Sequence, residues 1–300
     1  MAAHRVAPGD ELDPLAVLRA LGLEDARAVE PVAGGWDTAL WRVERSGASS
    51  ALRLFRPEQA SIARREALAL RALVGHVPVP EVQAEGTWHG RPALLLSWVP
   101  GRPLAHALRA RPWLAWRLGH AFGRAQVRIH AVPVTEALRQ LETDWIALAG
   151  PGEEALQARL RALPPRADAL IHLDYHPLNV MVEGTKVTGV LDWANVSIGD
   201  ARADLARTLS ILRLAPSPPG FPERLHGLIT RLLELGWRHG YGQPFGDQAE
   251  MALFYTWAGV VMLRDLAPKV GRPGVWLRTH HLDAVRRWTE AWKRRAGSPP

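Results

Sequence analysis

Residues 170–204 read LIHLDYHPLNVMVEGTKVTGVLDWANVSIGDARAD. Five polar residues that are costly to bury, His172, Asp174, Asn179, Asp192 and Asp204, stand between short apolar runs. Asp174 and Asn179 lie five residues apart in a tight loop, and Asp192 closes the next strand. Two acids and an amide gathered on loops at strand ends suit a divalent cation and a phosphate, because carboxylate and amide oxygens are the hard ligands that Mg²⁺ takes. Asp and Asn also favour turns for purely local reasons. Several such residues in order, with a matching arrangement upstream, outweigh that simpler reading.

Upstream, the first hundred residues alternate short strand candidates with one strong helix. The strand candidates are 29–32, 39–44, 51–55, 82–86 and 92–99. A short amphipathic helix over 13–23 precedes them. The strong helix covers 58–74, closed by Gly75 and followed by Pro78 and Pro80, a normal helix stop. Gly34, Gly35, Trp36, Asp37 and Thr38 form a turn between two strands. Such a turn either offers backbone N–H groups to phosphates or simply closes a hairpin. In the strand at 51–55, Leu52 and Leu54 share one face and Ala51, Arg53 and Phe55 the other. An Arg between apolar neighbours needs an anionic partner. Glu66 falls on the inward stripe set by Ile62, Leu70 and Leu73. Pairing Arg53 with Glu66 satisfies both and leaves guanidinium donors for a ligand phosphate; a purely structural ion pair is the other reading.

Pro100, Gly101, Arg102 and Pro103 break this pattern and divide the chain into residues 1–100 and 101–300. Beyond the break the periodicity is helical. A long helix over 113–130 carries Leu114, Leu118, Ala121, Phe122, Ala125 and Ile129 on one stripe. Shorter helices are expected over 143–149 and 153–163, and longer ones over 200–214, 223–239, 248–266 and 274–296, before a frayed tail at 297–300. The class is α+β, a small first lobe followed by a larger, mostly helical one, with a cleft expected between them.

Composition sets the outer bounds. A chain of 300 residues, 47% hydrophobic and 22% charged, suits one large or two medium soluble domains. It has no Cys, which excludes disulfides, thiolate metal sites and cysteine nucleophiles. The net charge is +7, yet the Lys residues are only Lys186, Lys269 and Lys293, and the Arg residues are scattered. No basic face with interleaved aromatics is visible, so no nucleic-acid partner is expected. The N-terminus lacks a signal-like apolar segment. The longest apolar run, 251–263, is bounded by Glu250 and Arg264 and is shorter than the ~20 residues that span a bilayer. A cytoplasmic protein without a membrane partner is the expectation.

With these motifs in hand, the chain resembles the aminoglycoside phosphotransferase and choline kinase family over roughly residues 25–295. The resemblance implies a protein-kinase-like fold, whose small lobe holds an antiparallel sheet and one long helix. It implies that Asp174 is the catalytic base, oriented by His172, and that Asn179 and Asp192 hold Mg²⁺. Asp204, within Gly199-Asp200-x3-Asp204-Leu205-Ala206, matches an acid that braces the catalytic loop from the following helix. Gly34, Gly35 and Thr38 match the phosphate loop, Arg53 and Glu66 the phosphate-contacting cation and its helix partner, and Ser97-Trp98-Val99-Pro100-Gly101 the hinge. Backbone groups of Ser97 and Val99 would hold the adenine of ATP, with GTP as the other candidate nucleotide.

Two positions depart from the family pattern: Leu173 stands where Gly is usual, and Arg53 where Lys is usual. Arg keeps its charge and grips phosphate bidentately, and it occurs there in choline-kinase-like relatives. The implied activity is ATP- and Mg²⁺-dependent transfer of the γ-phosphoryl group to the hydroxyl of a small-molecule acceptor. The alternative is a weak or inactive nucleotide-binding module. Only seven residues separate Asp192 from Asp200, which leaves no long activation segment and argues against a protein kinase. Residues 201–300 hold 15 Lys/Arg against 8 Asp/Glu, a balance that favours a neutral, hydroxylated or anionic acceptor over a polycation. Trp257, Trp276 and Trp288 offer an aromatic box for a choline-like acceptor, or core packing.

Overall fold

The computed structural model describes residues 12–32, 38–45, 47–164, 166, 168–217, 222–242, 248–271 and 277–297. The small lobe is built on β1 (Ala26–Pro31), β2 (Ala39–Arg45), β3 (Ala48–Leu54), β4 (Val82–Trp88) and β5 (Arg91–Ser97). Their order is β1-β2-β3-β5-β4, and each neighbouring pair is antiparallel. Side-chain alternation gives this sheet two apolar faces. Leu52, Leu54, Ala93 and Leu95 pack with Val17 and Leu18 of α1 (Pro14–Ala20), whose first turn is capped by Asp13. Phe55, Leu94 and Leu96 face the other way, toward Ala63, Ala67, Leu70 and Leu73 of α2 (Ala60–Leu73). Burial on both faces is why residues 93–96 are uninterruptedly apolar.

The second lobe begins with β6 (Arg102–Pro103), which pairs with β8 (Val180–Glu183); β8 pairs in turn with β9 (Lys186–Val190). The connection between lobes is therefore stitched directly to the hairpin that follows the Asp174 loop. A second small pair joins β7 (Ala169–Ile171) and β10 (Ser197–Gly199). The helices are α3 (Leu104–Ala110), α4 (Ala115–His130), α5 (Glu136–Arg139), α6 (Glu154–Arg161), α7 (Ala201–Leu214), α8 (Glu223–Tyr241), α9 (Gln248–Leu266) and α10 (Thr279–Arg295).

Some expected boundaries move. The helix expected from residue 113 begins as a 3₁₀ turn over Pro112–Leu114 and becomes α-helical at Ala115. The segment expected as a helix over 143–149 is a 3₁₀ turn, Trp145–Ala149, stopped by Gly150 at φ 81°. The last helix starts at Thr279, and 272–276 lie outside the described residues.

The frame of the second lobe is the contact between α4 and α8. Gly119 and Gly123 on one helix meet Gly236 and Gly240 on the other. A Cβ at any of the four would run into the backbone of the facing helix. Glycine at spacing four lets the two backbones touch. That approach brings Gln126 to Trp237 and His130 to Tyr241.

Candidate active site

The loop between β7 and β8 is held from three directions. His172 is fully buried, donates from Nε2 to the Leu191 carbonyl at 3.1 Å, and accepts the Asp174 N–H at Nδ1 at 3.3 Å. Leu173 has φ 62°, a left-handed conformation that costs a non-Gly residue roughly 1–2 kcal/mol. Two contacts hold it there: its N–H donates to Asp204 Oδ1 at 2.5 Å, and its carbonyl accepts from Arg207 Nε at 3.2 Å. These contacts explain how Leu serves where the family usually has Gly.

Asp204 is fully buried near the start of α7. Its Oδ2 accepts from Gln126 Nε2 at 3.0 Å and from His130 Nε2 at 2.9 Å. His130 Nδ1 lies 2.9 Å from the Tyr241 hydroxyl, and Gln126 Oε1 accepts from Trp237 Nε1 at 2.7 Å. Thr208 accepts from Gln126 and donates to the Tyr175 carbonyl. A continuous polar chain thus runs from α8 through α4 and α7 to the loop. Burial alone would raise the Asp204 carboxyl, but the hydrogen bond and charge of His130 hold it below its ordinary value.

Asp174 is partly exposed at the loop's open side. Desolvation pushes its carboxyl up, yet His176, 3.5 Å from Oδ2, with Arg207 and His172, holds it well below the usual carboxylate range. Asp174 is thus ionised across the physiological range and accepts a hydrogen bond from any hydroxyl brought to it. Asn179 donates from Nδ2 to the Asp174 carbonyl at 3.1 Å and to Oδ2 at 3.4 Å, which turns its amide oxygen the other way. The Asn179 carbonyl accepts the Leu191 N–H at 2.8 Å, so the loop is tied to the strand that leads to Asp192.

Asp192 also adopts a left-handed backbone, φ 63°, and its side chain is 44% exposed. The Asn179 amide oxygen and the exposed Asp192 carboxylate are hard oxygen donors. That chemistry fits Mg²⁺, which binds through one or two protein oxygens and completes its shell with phosphate and water.

The small lobe reaches the same point. Arg53 Nη1 is hydrogen-bonded to Glu66 Oε1, and Arg53 Nη2 lies 3.8 Å from Asp192 Oδ1. The guanidinium therefore bridges the buried acid of α2 and the exposed acid of the second lobe. Glu66 Oε2 is buried without a hydrogen-bond partner. Burial raises the Glu66 carboxyl from 4.5 to about 7, with Arg53 opposing and Asp192 adding to the shift. The folded chain keeps this proton where the unfolded chain has released it. The stability contributed by Glu66 is full below pH 4.5 and is lost as pH rises toward about 7, with a slope of at most about 1.4 kcal/mol per pH unit. Glu66→Gln should flatten that slope in urea unfolding of the nucleotide-free protein between these limits. An unaltered slope would show that Glu66 does not carry it.

Between the lobes, Ser97 is tied to Glu81: its N–H donates to the Glu81 carbonyl at 2.9 Å and its hydroxyl accepts the Glu81 N–H at 2.8 Å. Trp98 N–H donates to Ser49. The Val99 N–H has no hydrogen-bond partner among the described residues. Val99 packs onto Gly189 of β9, where a Cβ would collide with its side chain, and Thr188 donates to the Pro100 carbonyl at 2.7 Å. Thr38 stands at the bend entering β2, while Gly34 and Gly35 lie outside the described residues.

Sequence reasoning missed Gln126, His130 and Arg207. Gln126 and His130 sit one turn apart beside the apolar stripe of α4, and that polar pair was the available signal. Arg207 joins the Leu173 carbonyl to Asp265 Oδ2 at 2.9 Å; nothing in the sequence pairs residues so far apart. Of the Trp residues offered for an aromatic box or core packing, Trp257 is fully buried with its indole N–H on the Ile146 carbonyl, and Trp288 is partly buried with its indole N–H on the Tyr255 carbonyl. Trp276 lies outside the described residues.

A small antiparallel sheet with one acid-bearing helix, set over a helical lobe whose loop carries Asp174, Asn179 and Asp192, is the architecture of the protein-kinase-like fold. The model of the phosphotransferase enzyme family (APH) matches residues 28–241, and the chain belongs to that family. Viomycin phosphotransferase of Streptomyces vinaceus is 30% identical over 168 residues, covering 46% of this chain and 58% of that protein. The chain thus spans little more than half the length of that relative. Among solved structures, a thermostable mutant of aminoglycoside phosphotransferase APH(4)-Ia, in complex with AMP-PNP and hygromycin B, has a TM-score of 0.66 at 11% identity, covering 95% of this chain and 98% of that one. Amicoumacin kinase hAmiN, in complex with AMP-PNP, Ca²⁺ and Ami, has a TM-score of 0.63 at 14% identity, covering 94% of each chain. At these identities the likeness establishes the fold.

Proposed function

We propose that this chain is an ATP- and Mg²⁺-dependent O-phosphotransferase that moves the γ-phosphoryl group to the hydroxyl of a small molecule. The observation that carries this reading is the bridge at Arg53, which joins Glu66 of the small lobe to Asp192 of the large one. In this reading residues 1–100 hold the nucleotide and 101–300 supply the base and the acceptor site. The free Val99 N–H and the backbone at Ser97 face the adenine, and Gly34, Gly35 and Thr38 approach the phosphates. Arg53 grips the phosphates with the donors that Glu66 does not use. Asn179 and Asp192 would hold Mg²⁺, which when bound neutralises charge on the phosphates. Asp174 accepts the acceptor's hydroxyl hydrogen, fixes the oxygen in line and takes the proton as transfer proceeds. The work is mostly positioning and electrostatics.

The reading of an inactive module has less support, because Asp174, Asn179 and Asp192 are all present and brought to one loop cluster. The decisive trial is ATP consumption screened across aminoglycosides, peptide antibiotics, macrolides, amino alcohols and sugars. The expected result is a Mg²⁺-dependent product heavier by one phosphoryl group; binding of ATP with no transfer to any acceptor would favour the inactive module.

A further inference from the structure

The outer face of the α4–α8 pair has no role in the site just described, and its surface is unusual. Leu225, Leu228, Leu232 and Leu235 project from α8 at spacings of three and four, each 37–56% exposed. That spacing places all four on one stripe. Trp113, in the 3₁₀ turn before α4, and Trp116, in the first turn of α4, are 74% and 44% exposed. Trp116 stacks on His120, and both rings meet His239, the next α8 residue on the leucine stripe. The indoles and the leucines therefore form one surface. Six of the ten large hydrophobics exposed among the described residues lie on it.

Arginine borders this surface on both sides. Arg117, Arg124 and Arg128 line the α4 edge and Arg224 and Arg231 the α8 edge, all exposed. None of the five has an acidic partner among the described residues. From Glu85 to Glu136 the chain carries seven Arg and no intervening Asp or Glu. On α8, Glu234 is turned inward between Arg213 and Arg238 at 2.7 and 2.9 Å, and Glu223 lies on the opposite side of the helix by the 3.6-residue repeat.

We propose that the α4–α8 face is a docking surface for an anionic lipid bilayer. Charge decides the occupant. A second copy would bring Arg rows against Arg rows, whereas a leucine stripe with Trp at its margin and cations on both edges matches an anionic interface. The proposal runs against the expectation of no membrane partner. No helix among the described residues is long and apolar enough to cross a membrane, so the contact is peripheral. The inference is independent of the catalytic reading.

Co-sedimentation of the full chain with phosphatidylcholine vesicles, with and without phosphatidylglycerol, tests it. Binding is expected only where phosphatidylglycerol is present, and should weaken as salt rises. The pair Leu228→Glu and Leu232→Glu should reduce partitioning by about tenfold or more, and Arg117→Gln with Arg124→Gln should act in the same direction. Because these side chains are exposed, thermal melts of the variants should match the parent. Failure of the parent to bind either vesicle overturns the proposal. So does equal binding by the leucine variants, or a dimeric mass in solution that Leu228→Glu returns to monomer. Capture of an acidic helical peptide without vesicle binding would also overturn it.

Discussion

Replacing Asp174 by Ala is expected to lower kcat by roughly 10²–10⁴-fold while leaving the Kd for AMP-PNP nearly unchanged. The separation follows from geometry. Asp174 contributes its backbone N–H to His172 and its carbonyl to Asn179, and both survive the substitution. The side chain is not a nucleotide ligand in this account; its task is to fix the attacking oxygen. Its carboxyl is held well below the ordinary range once His176, Arg207 and His172 overcome desolvation. It is therefore a weak base that is always ionised, suited to orienting a hydroxyl whose proton leaves late. The rate should show no loss on the acid side attributable to Asp174 until well below neutrality. Asp174→Asn retains the shape and removes the charge, so it should fall with the Ala variant. Near-normal turnover in either would sink the assignment.

Asp204→Ala should be the most damaging single change to the fold among the site residues, by about 3–5 kcal/mol. It would leave the Leu173 N–H, His130 and Gln126 facing a cavity without their common acceptor. Unpartnered buried donors cost their full desolvation penalty. Leu173 would then lose one of the two contacts that hold it at φ 62°, so surviving protein should turn over slowly even when folded. Urea unfolding and kcat measured on the same preparation check both halves. A loss under about 1 kcal/mol would mean that the chain of hydrogen bonds from α8 does not support the loop.

These two residues also show what the sequence could and could not convey. Asp174, Asn179 and Asp192 were legible because a nineteen-residue window contains them, with strand-like runs fixing where each would emerge. Arg53 and Glu66 were legible because period two on a strand and period 3.6 on a helix both pointed a charge inward. The strands of the small sheet were visible as short runs between turn residues, the one through 93–96 by an uninterrupted apolar stretch rather than by alternation. Gln126, His130 and Arg207 were not legible in that way. Their partners lie 78, 74 and 58 residues distant, and only the packing of α4 on α7 and of α7 on α9 creates the connections. The 3₁₀ turn at Trp145–Ala149 was hidden because five residues of helical composition do not reveal their pitch.

The central claim is that one acid and one amide of the second lobe, Asp192 and Asn179, share one nucleotide with Arg53, over a hundred residues earlier. Calorimetric titration of AMP-PNP, with and without Mg²⁺, tests it without knowledge of the acceptor. The parent should bind more tightly with Mg²⁺. Asp192→Asn should lose most of that Mg²⁺ dependence, and Arg53→Ala should weaken binding about tenfold or more, as loss of a charge-assisted phosphate contact requires. Binding indifferent to Mg²⁺, or untouched by removal of the Arg53 guanidinium, would contradict the account.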